Sequence, residues 1–141
     1  MKNNVKRITA LVLTVVLALT LIACNTVDKE GLWENATHLR DMELGKGAVT
    51  VTVEVVAGEN KITFTVKTDE KTLDLALLEH ELIEVKDGPY GYYVTKVNGI
   101  LASDEDNAYW AIYINGEYAM TGITSTEIVE GTVYKLEYTT Y

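Results

Sequence analysis

The chain has 141 residues, and its 21 Asp and Glu outnumber its 12 Lys and Arg, which gives a formal net charge of −9. This length allows one domain of ordinary size and excludes a two-domain enzyme, while the acidic balance excludes a nucleic-acid-binding surface, which needs clustered cations for the phosphates. The single Cys excludes both a disulfide framework and a Cys-rich zinc site.

Residues 1–23 have the pattern of a secretory signal peptide. Lys2, Lys6 and Arg7 form a basic start, and residues 8–22 are then apolar except for Thr. This apolar run is shorter than the ~20 residues that a membrane-spanning helix needs. A single membrane-spanning anchor is therefore the weaker alternative.

The end of this segment predicts that Cys24 carries lipid. Leu21 and Ala23 precede it as in the bacterial lipobox, which the sequence resembles. In that pathway the thiol takes a diacylglyceryl thioether and the chain is cut just before the Cys. Two or three acyl chains hold a protein durably on a membrane, so we expect a lipoprotein on the extracytoplasmic face of a bacterial cell membrane.

Residues 24–45 are expected to be a tether and a short N-terminal segment. Residues 25–31 are polar and charged, which is typical of a tether, and the spacing of apolar residues in 32–42 suits short helical turns. Residues 46–141 are then expected to form the single domain of the protein.

The clearest pattern is the alternation of apolar and polar residues in 49–55 and again in 62–67. A Gly-Glu-Asn turn at 58–60 separates the two runs. Period-two alternation on both sides of such a turn predicts an antiparallel hairpin with one buried face.

A helix is predicted over residues 73–82. Thr72 precedes it as an N-cap, and Asp74 suits the positive end of the helix dipole. Its inner side is expected to cover the apolar face of the hairpin. The inner side consists of Leu73, Ala76, Leu77 and His80.

Two further hairpins are predicted at the Asn-Gly pairs 98–99 and 115–116, because both residues accept the positive φ of a type I′ turn. A polar loop over 120–127 and a last strand over 133–138 follow. Together these elements predict an α+β fold with a mixed sheet crossed by one helix.

The sequence contains no catalytic or metal-binding signature that we recognise, so we expect no enzyme and no metal site. Residues 103–107 begin like a calcium loop, but the Gly and the final Glu of that loop are missing. We interpret them as a solvated turn. His38 and His80 fit surface and core positions better than catalytic ones.

Aromatic residues are unevenly distributed, since all nine Tyr lie between Tyr90 and Tyr141. In the strand predicted over 109–114, alternation places Trp110 on one face and Tyr109 on the other. Two interpretations remain open. Tyr favours strands in general, but amphipathic aromatic side chains near turns are also typical of binding surfaces.

Several short motifs follow one another along residues 46–141. They are Gly88-Pro89-Tyr90-Gly91, Val97-Asn98-Gly99, Tyr109-Trp110, Asn115-Gly116, Gly122 and Glu130-Gly131. In this order and spacing they resemble the transcobalamin-like C-terminal domain. That β-domain closes transcobalamin and intrinsic factor and also occurs in bacterial surface lipoproteins.

The resemblance implies a β-grasp-like mixed sheet and a corrinoid such as cobalamin as a bound ligand, not as a cofactor. It implies that Tyr90, Tyr92, Trp110, Tyr118 and Gly122 face this flat ligand, the aromatic side chains stacking on it. In the vitamin carriers a helical barrel covers the other side of the ligand. We expect no such barrel here, and hence weak binding unless a second protein closes the site.

We therefore expect a non-enzymatic, lipid-anchored extracytoplasmic domain that captures cobalamin or a related nutrient for a membrane transporter. The alternative is a cell-surface interaction or adhesion module whose Tyr-rich face docks a protein or a glycan. The expected partners are the membrane, through lipid on Cys24, a small-molecule ligand, and a transporter or second surface protein.

Overall fold

The computed structural model describes residues 25–141, so the predicted signal peptide and Cys24 lie outside the described part of the chain. A search of residues 25–141 for apolar helices of membrane-spanning length finds none. These residues form nine strands, one α-helix and three short 3-10 turns. The strands are β1 (Met42–Gly45), β2 (Val49–Ala57), β3 (Asn60–Thr68), β4 (Ile83–Gly88), β5 (Gly91–Val97), β6 (Ile100–Leu101), β7 (Ala108–Ile114), β8 (Glu117–Tyr118) and β9 (Val133–Thr140), and the helix is α1 (Leu73–Leu78).

The strands form two sheets. The larger has six strands in the order β1-β3-β2-β9-β7-β8, and the smaller has three in the order β4-β5-β6. The larger sheet is mixed, because β1 runs parallel to β3 and β2 runs parallel to β9. The expected mixed sheet and single helix are confirmed, but the fold is mostly β, since α1 has only six residues.

The predicted hairpin is confirmed as β2 and β3. Ala57 pairs with Asn60, which leaves a two-residue turn, and Gly58 has the positive φ (62°) that a type II′ turn needs at its first position. Alternate residues such as Val53 and Phe64 are completely buried. The side chains between them lie on the opposite face, which no element covers in the described part of the chain.

The helix ends earlier than predicted, at Leu78 instead of residue 82. Glu81 adopts a positive φ of 53°, which turns the chain out of the helix before Leu82 enters the core. Thr72 stands at the N-cap position, but its side chain makes no capping hydrogen bond. Instead, its backbone pairs with Glu127 in an isolated β-bridge.

The buried side of α1 joins the core of the larger sheet. Leu73, Ala76 and Leu77 are completely buried, as predicted. His80 follows the helix and is partly buried, with its Nε2 atom 3.7 Å from Glu79 Oε2. The smaller sheet covers the rest of the apolar face with Ile83, Val94, Val97 and Ile100, which belong to the same core cluster.

The segment for which the sequence predicts a tether is packed on the larger sheet. The backbone N–H of Val27 donates to the Leu39 carbonyl at 2.7 Å, and the side-chain amide of Asn25 donates to the Lys61 carbonyl at 2.6 Å. Instead of helical turns, residues 32–42 contain the end of one 3-10 turn and then extended chain. The indole of Trp33 is buried and donates to the Ala57 carbonyl at 3.0 Å.

The remaining predicted strands and turns are present. Both Asn-Gly pairs have positive φ at both residues, as type I′ turns require. The last strand is two residues longer than predicted and lies between β2 and β7. The loop over 120–127 is not purely polar, because Ile123 is buried within it.

This topology gives the molecule two ends. Asn25 lies beside Lys61 at the end that carries the β2–β3 turn. Since β7 runs antiparallel to β9 and β9 parallel to β2, the turn at 115–116 lies at the opposite end. We call this opposite end the distal end.

Candidate functional site

Large apolar side chains are exposed at the distal end. Tyr90 is 96% exposed and Met120 91%, while Tyr118 is 51% and Tyr92 39% exposed. Folded proteins normally bury such side chains when a core is within reach, so a group of them at one end is typical of an interaction site.

Two loops build this end. Tyr90 lies at the tip of the β4–β5 hairpin, and Gly91 follows it with a φ of 104°, a conformation that favours glycine. The backbone N–H of Tyr92 donates to Thr124 Oγ1 at 3.2 Å, which joins the hairpin to the loop after β8. Gly122 belongs to the same loop, and a Cβ atom there would lie 4.0 Å from the Tyr92 carbonyl oxygen.

Tyr118 lies on β8 and continues the exposed surface towards the uncovered face of the larger sheet. Its ring packs edge-on against Tyr113, with the centroids 5.6 Å apart and the planes at 85°. A shallow depression of about 530 Å³ lies between Tyr118 and Met120. The structure thus brings Tyr90, Tyr92 and Gly122 together and places Tyr118 at the same end.

Trp110 does not belong to this surface. It points from β7 into the core, is only 5% exposed and packs edge-on against Tyr138 with a centroid distance of 5.7 Å. Its Nε1 atom has no hydrogen-bond partner within the described residues. Alternation correctly separates Trp110 from Tyr109, but it is Tyr109 that faces outwards.

The uncovered face of the larger sheet carries a row of four tyrosines, which we call the tyrosine row: Tyr109, Tyr113, Tyr118 and Tyr141. The rings of Tyr109 and Tyr141 lie 6.1 Å apart at 43°. The ammonium of Lys135 lies 4.1 Å from the centroid of the Tyr113 ring. The π-face of a tyrosine in this row is therefore already used to hold a cation.

Two tyrosine hydroxyls have perturbed acidity. Loss of hydrating water, followed by the nearby Tyr118 hydroxyl, raises the pKa of Tyr109 above its ordinary value. Loss of water, followed by the negative charge of Asp106, raises the pKa of Tyr138. Both hydroxyls therefore hold their protons to a higher pH than an ordinary tyrosine does.

A groove of about 360 Å³ runs between the smaller sheet and β7. Its floor includes Ala102 and Ala108, whose small buried side chains leave space between larger side chains on either side. Its walls carry four side chains that are exposed to solvent: Tyr93, Leu101, Tyr109 and Tyr141. We call it the Tyr93–Tyr141 groove.

Four charged side chains line this groove, and only two of them form an ion pair within residues 25–141. Lys96 forms an ion pair with Glu84 at 2.9 Å. Lys86 and Asp104 also line the groove, and within residues 25–141 neither has an ion-pair partner. Among residues 25–141, Lys86 is therefore the one unpaired cation that lines the groove, and Asp104 is the one unpaired acidic side chain.

Sequence reasoning missed this groove, because four separate segments contribute its walls. The only available signal was the concentration of Tyr after residue 90. Such a concentration indicates aromatic surface but cannot say which rings face each other across a space.

Residues 103–107 form a 3-10 turn with its own internal hydrogen bonds. Ser103 Oγ donates to Asp106 Oδ2 at 2.7 Å, and Asn107 ends the turn with a positive φ of 50°. No group of three or more His, Cys, Asp or Glu side chains among residues 25–141 is placed to hold a metal ion.

Comparison with known proteins gives one family and a shared fold. The model of the family described as a domain of unknown function (DUF4430) matches residues 70–140. A protein of Ruminococcus gnavus whose crystal structure is described as that of a candidate metal-binding protein is 28% identical. The TM-score is 0.64, and the match covers 66% of this chain and 98% of that one. No curated protein sequence matches the chain.

The chain is also similar to haptocorrin, in a crystal structure of its complex with Cbi. The identity is 19% and the TM-score 0.55, and the match covers 66% of this chain and 25% of haptocorrin. The chain thus matches about a quarter of haptocorrin's length. This likeness confirms the predicted transcobalamin-like fold and, at this identity, only the fold.

Proposed function

The chain belongs to the DUF4430 family, and its fold is similar to that of part of haptocorrin. We propose that it is a lipid-anchored, extracytoplasmic ligand-binding domain. The proposed ligand is cobalamin or a related corrinoid, bound at the distal end. The protein would capture this nutrient for a membrane transporter. No catalytic step is involved.

The exposed apolar and aromatic side chains of the distal end carry this proposal. Tyr90 and Met120 are almost completely solvent-exposed there, although their apolar surface would be more stable out of water. A large flat ligand would cover both and could stack on the tyrosine rings. The hydrogen bond from Tyr92 to Thr124 holds the two loops together before any ligand arrives, which lowers the entropic cost of binding.

The ligand class comes from the likeness to haptocorrin, whose structure is that of a complex with Cbi. The distal end is an open surface, and an open surface buries only one side of a flat molecule. Affinity is therefore expected to be weak for this chain alone. A second surface protein or the transporter would close the site.

Calorimetric titration of the full-length chain with cobalamin and with cobinamide tests the proposal. We expect saturable binding that Tyr90→Ala and Tyr118→Ala both weaken. Leu32→Ala is the matched control, because Leu32 is an exposed apolar residue close to Gly58, at the opposite end. Absence of binding at about millimolar ligand, or equal weakening by Leu32→Ala, would contradict the proposal.

Attachment to the membrane is tested separately. Lipid on Cys24 would hold the protein in the membrane fraction, and Cys24→Ser would release it, because Cys24 is the residue that would carry the acyl chains. Retention of the Cys24→Ser variant in the membrane would contradict lipid anchoring. This result has no bearing on corrinoid binding.

The tyrosine row supports a second candidate function, that of an interaction or adhesion module docking a protein or a glycan. Tyr109, Tyr118 and Tyr141 expose large aromatic surface on a face without a covering element in the described residues. Pull-down of surface proteins and a glycan array would detect such a partner. Tyr109→Ala should then abolish capture, whereas Tyr90→Ala should not.

A further inference from the structure

We propose that the Tyr93–Tyr141 groove is a second binding site, for a small zwitterion with a quaternary ammonium at one end and a phosphate at the other. Phosphocholine has this chemistry. None of the residues named for the corrinoid site lines this groove, although the Tyr118 hydroxyl lies near that of Tyr109, and the inference does not depend on corrinoid binding at the distal end.

The aromatic walls of the groove fit the quaternary ammonium. Tyr109 and Tyr141 lie on the same side with their rings 6.1 Å apart, and Tyr93 lines the groove as well. Tyrosine rings attract organic cations through their π-faces, and several rings together form the usual site for a quaternary ammonium. On the same row, Lys135 already lies over Tyr113 at 4.1 Å.

One end of the groove is acidic. The backbone N–H of Ala108 donates to the Ser103 carbonyl at 3.0 Å, and that of Tyr141 donates to the Asn107 carbonyl at 3.0 Å. These bonds hold the turn that contains Asp104 beside both Tyr109 and Tyr141. The unpaired carboxylate and two aromatic rings therefore share this end, where the quaternary ammonium would bind.

The other end of the groove is basic. Lys86 on β4 pairs directly with Tyr93 on β5. The Ala102 N–H donates to the Thr95 carbonyl, so the chain leading to Asp104 lies further along β5, beyond Tyr93. The unpaired ammonium of Lys86 is thus placed where the phosphate of the zwitterion would lie.

Because one end of the groove is acidic and the other basic, a zwitterion fits it better than a simple ion does. A cation alone would leave Lys86 without a partner, and an anion alone would meet Asp104 in a chain of formal net charge −9. The volume of about 360 Å³ lies near the lower limit of small-molecule sites. It suits a small molecule and is too small for a corrinoid.

Phosphocholine titrated into the full-length chain and followed by NMR tests this inference. We expect saturable shifts of Tyr93 and Tyr141, and affinities at least about fivefold weaker for choline and for inorganic phosphate, since each makes only half of the contacts. Tyr141→Leu should weaken phosphocholine binding about fivefold or more, whereas Tyr141→Phe, which keeps the ring, should not.

The two charges are tested with exposed side chains whose replacement leaves the fold intact. Asp104→Asn should weaken the binding of choline, and Lys86→Gln should weaken that of phosphate. Lys71→Gln is the control, because Lys71 is exposed but does not line the groove. Equal effects of Lys86→Gln and Lys71→Gln would overturn the role of Lys86.

Vesicles of phosphatidylcholine distinguish the source of the ligand. Binding of soluble phosphocholine that vesicles do not displace supports a free molecule, and displacement supports a lipid headgroup. The inference is overturned if neither phosphocholine nor the vesicles bind saturably up to about 10 mM. It is also overturned if the Tyr141→Leu variant binds phosphocholine as tightly as the unchanged protein does. Tyr141→Leu should leave corrinoid binding unchanged, so failure of one proposal does not imply failure of the other.

Discussion

The side chain of Asn98 pairs with the backbone of His38 through two hydrogen bonds. Asn98 Oδ1 accepts from the His38 N–H at 2.9 Å, and Asn98 Nδ2 donates to the His38 carbonyl at 2.8 Å. Asn98 is buried, and with a φ of 50° it also forms the first position of the β5–β6 turn. One residue thus shapes a turn of the smaller sheet and binds the N-terminal segment to it.

Asn98→Gly should destabilise the protein by about 1–3 kcal/mol, because it keeps the turn conformation but leaves two partly buried backbone groups of His38 unpaired. Urea denaturation measures this change. Asn115→Gly is the control at the equivalent turn position, where Oδ1 accepts one exposed hydrogen bond from Val133 at 3.0 Å. Equal losses for the two variants would mean that the pairing with His38 adds nothing to stability.

Gly99→Ala should destabilise the protein more than Gly116→Ala, although both glycines follow Asn in a type I′ turn. Their φ angles are 81° and 86°, so both variants carry a conformational cost of about 1–2 kcal/mol. A Cβ atom at Gly99 would lie only 2.3 Å from the Asn35 carbonyl oxygen, whereas one at Gly116 meets nothing within 4 Å. Thermal unfolding of the two variants compares them, and a similar Tm for both would contradict this reasoning.

Trp33→Ala should cost about 3–5 kcal/mol of unfolding free energy, the usual loss for a large buried aromatic side chain. Trp33→Phe should cost less, about 1–3 kcal/mol, mainly because the Ala57 carbonyl loses its donor. The neighbouring Leu32→Ala is the control, since Leu32 is exposed. If Trp33→Ala proved as mild as Leu32→Ala, residues 25–41 would not be an integral part of the fold.

Stability should fall as the pH rises above about 10, the ordinary pKa of tyrosine. The pKa of Tyr109 is raised in the folded protein, so the folded state holds this proton more tightly than the unfolded state. The resulting stability is complete below the unfolded pKa and is lost between the unfolded and the folded pKa. Tyr109→Phe should reduce this loss, measured by denaturation at alkaline pH.

The parts of the fold that depend on local pattern were predictable from the sequence. The alternation around Val53 and Phe64 and the two Asn-Gly pairs specify hairpins whose partners are adjacent in the chain. The end of the helix was not predictable, because nothing local indicates the positive φ of Glu81. Nor was β1, whose four residues pair with a strand that is distant in sequence.

The candidate sites also depend on contacts between segments that are distant in sequence. Alternation separates Tyr109 from Trp110, but only the packing of the smaller sheet and Tyr138 against β7 decides that Trp110 is the buried one. Tyr90, Tyr92 and Gly122 were predicted from a resemblance, and the hydrogen bond to Thr124 that joins their loops has no sequence signal. The Tyr93–Tyr141 groove depends on contacts among four segments and could not be predicted.

The outermost strands of the larger sheet are its two shortest, since β1 has four residues and β8 only two. Short outer strands offer few free backbone groups to a neighbouring molecule, which disfavours pairing of two copies through β1 or β8. Lipid anchoring would concentrate many copies on one membrane surface. The longest strands, β2 and β3, have nine residues each, and β2 contains five Val, so they are the segments most prone to aggregation; each has a neighbouring strand on both sides.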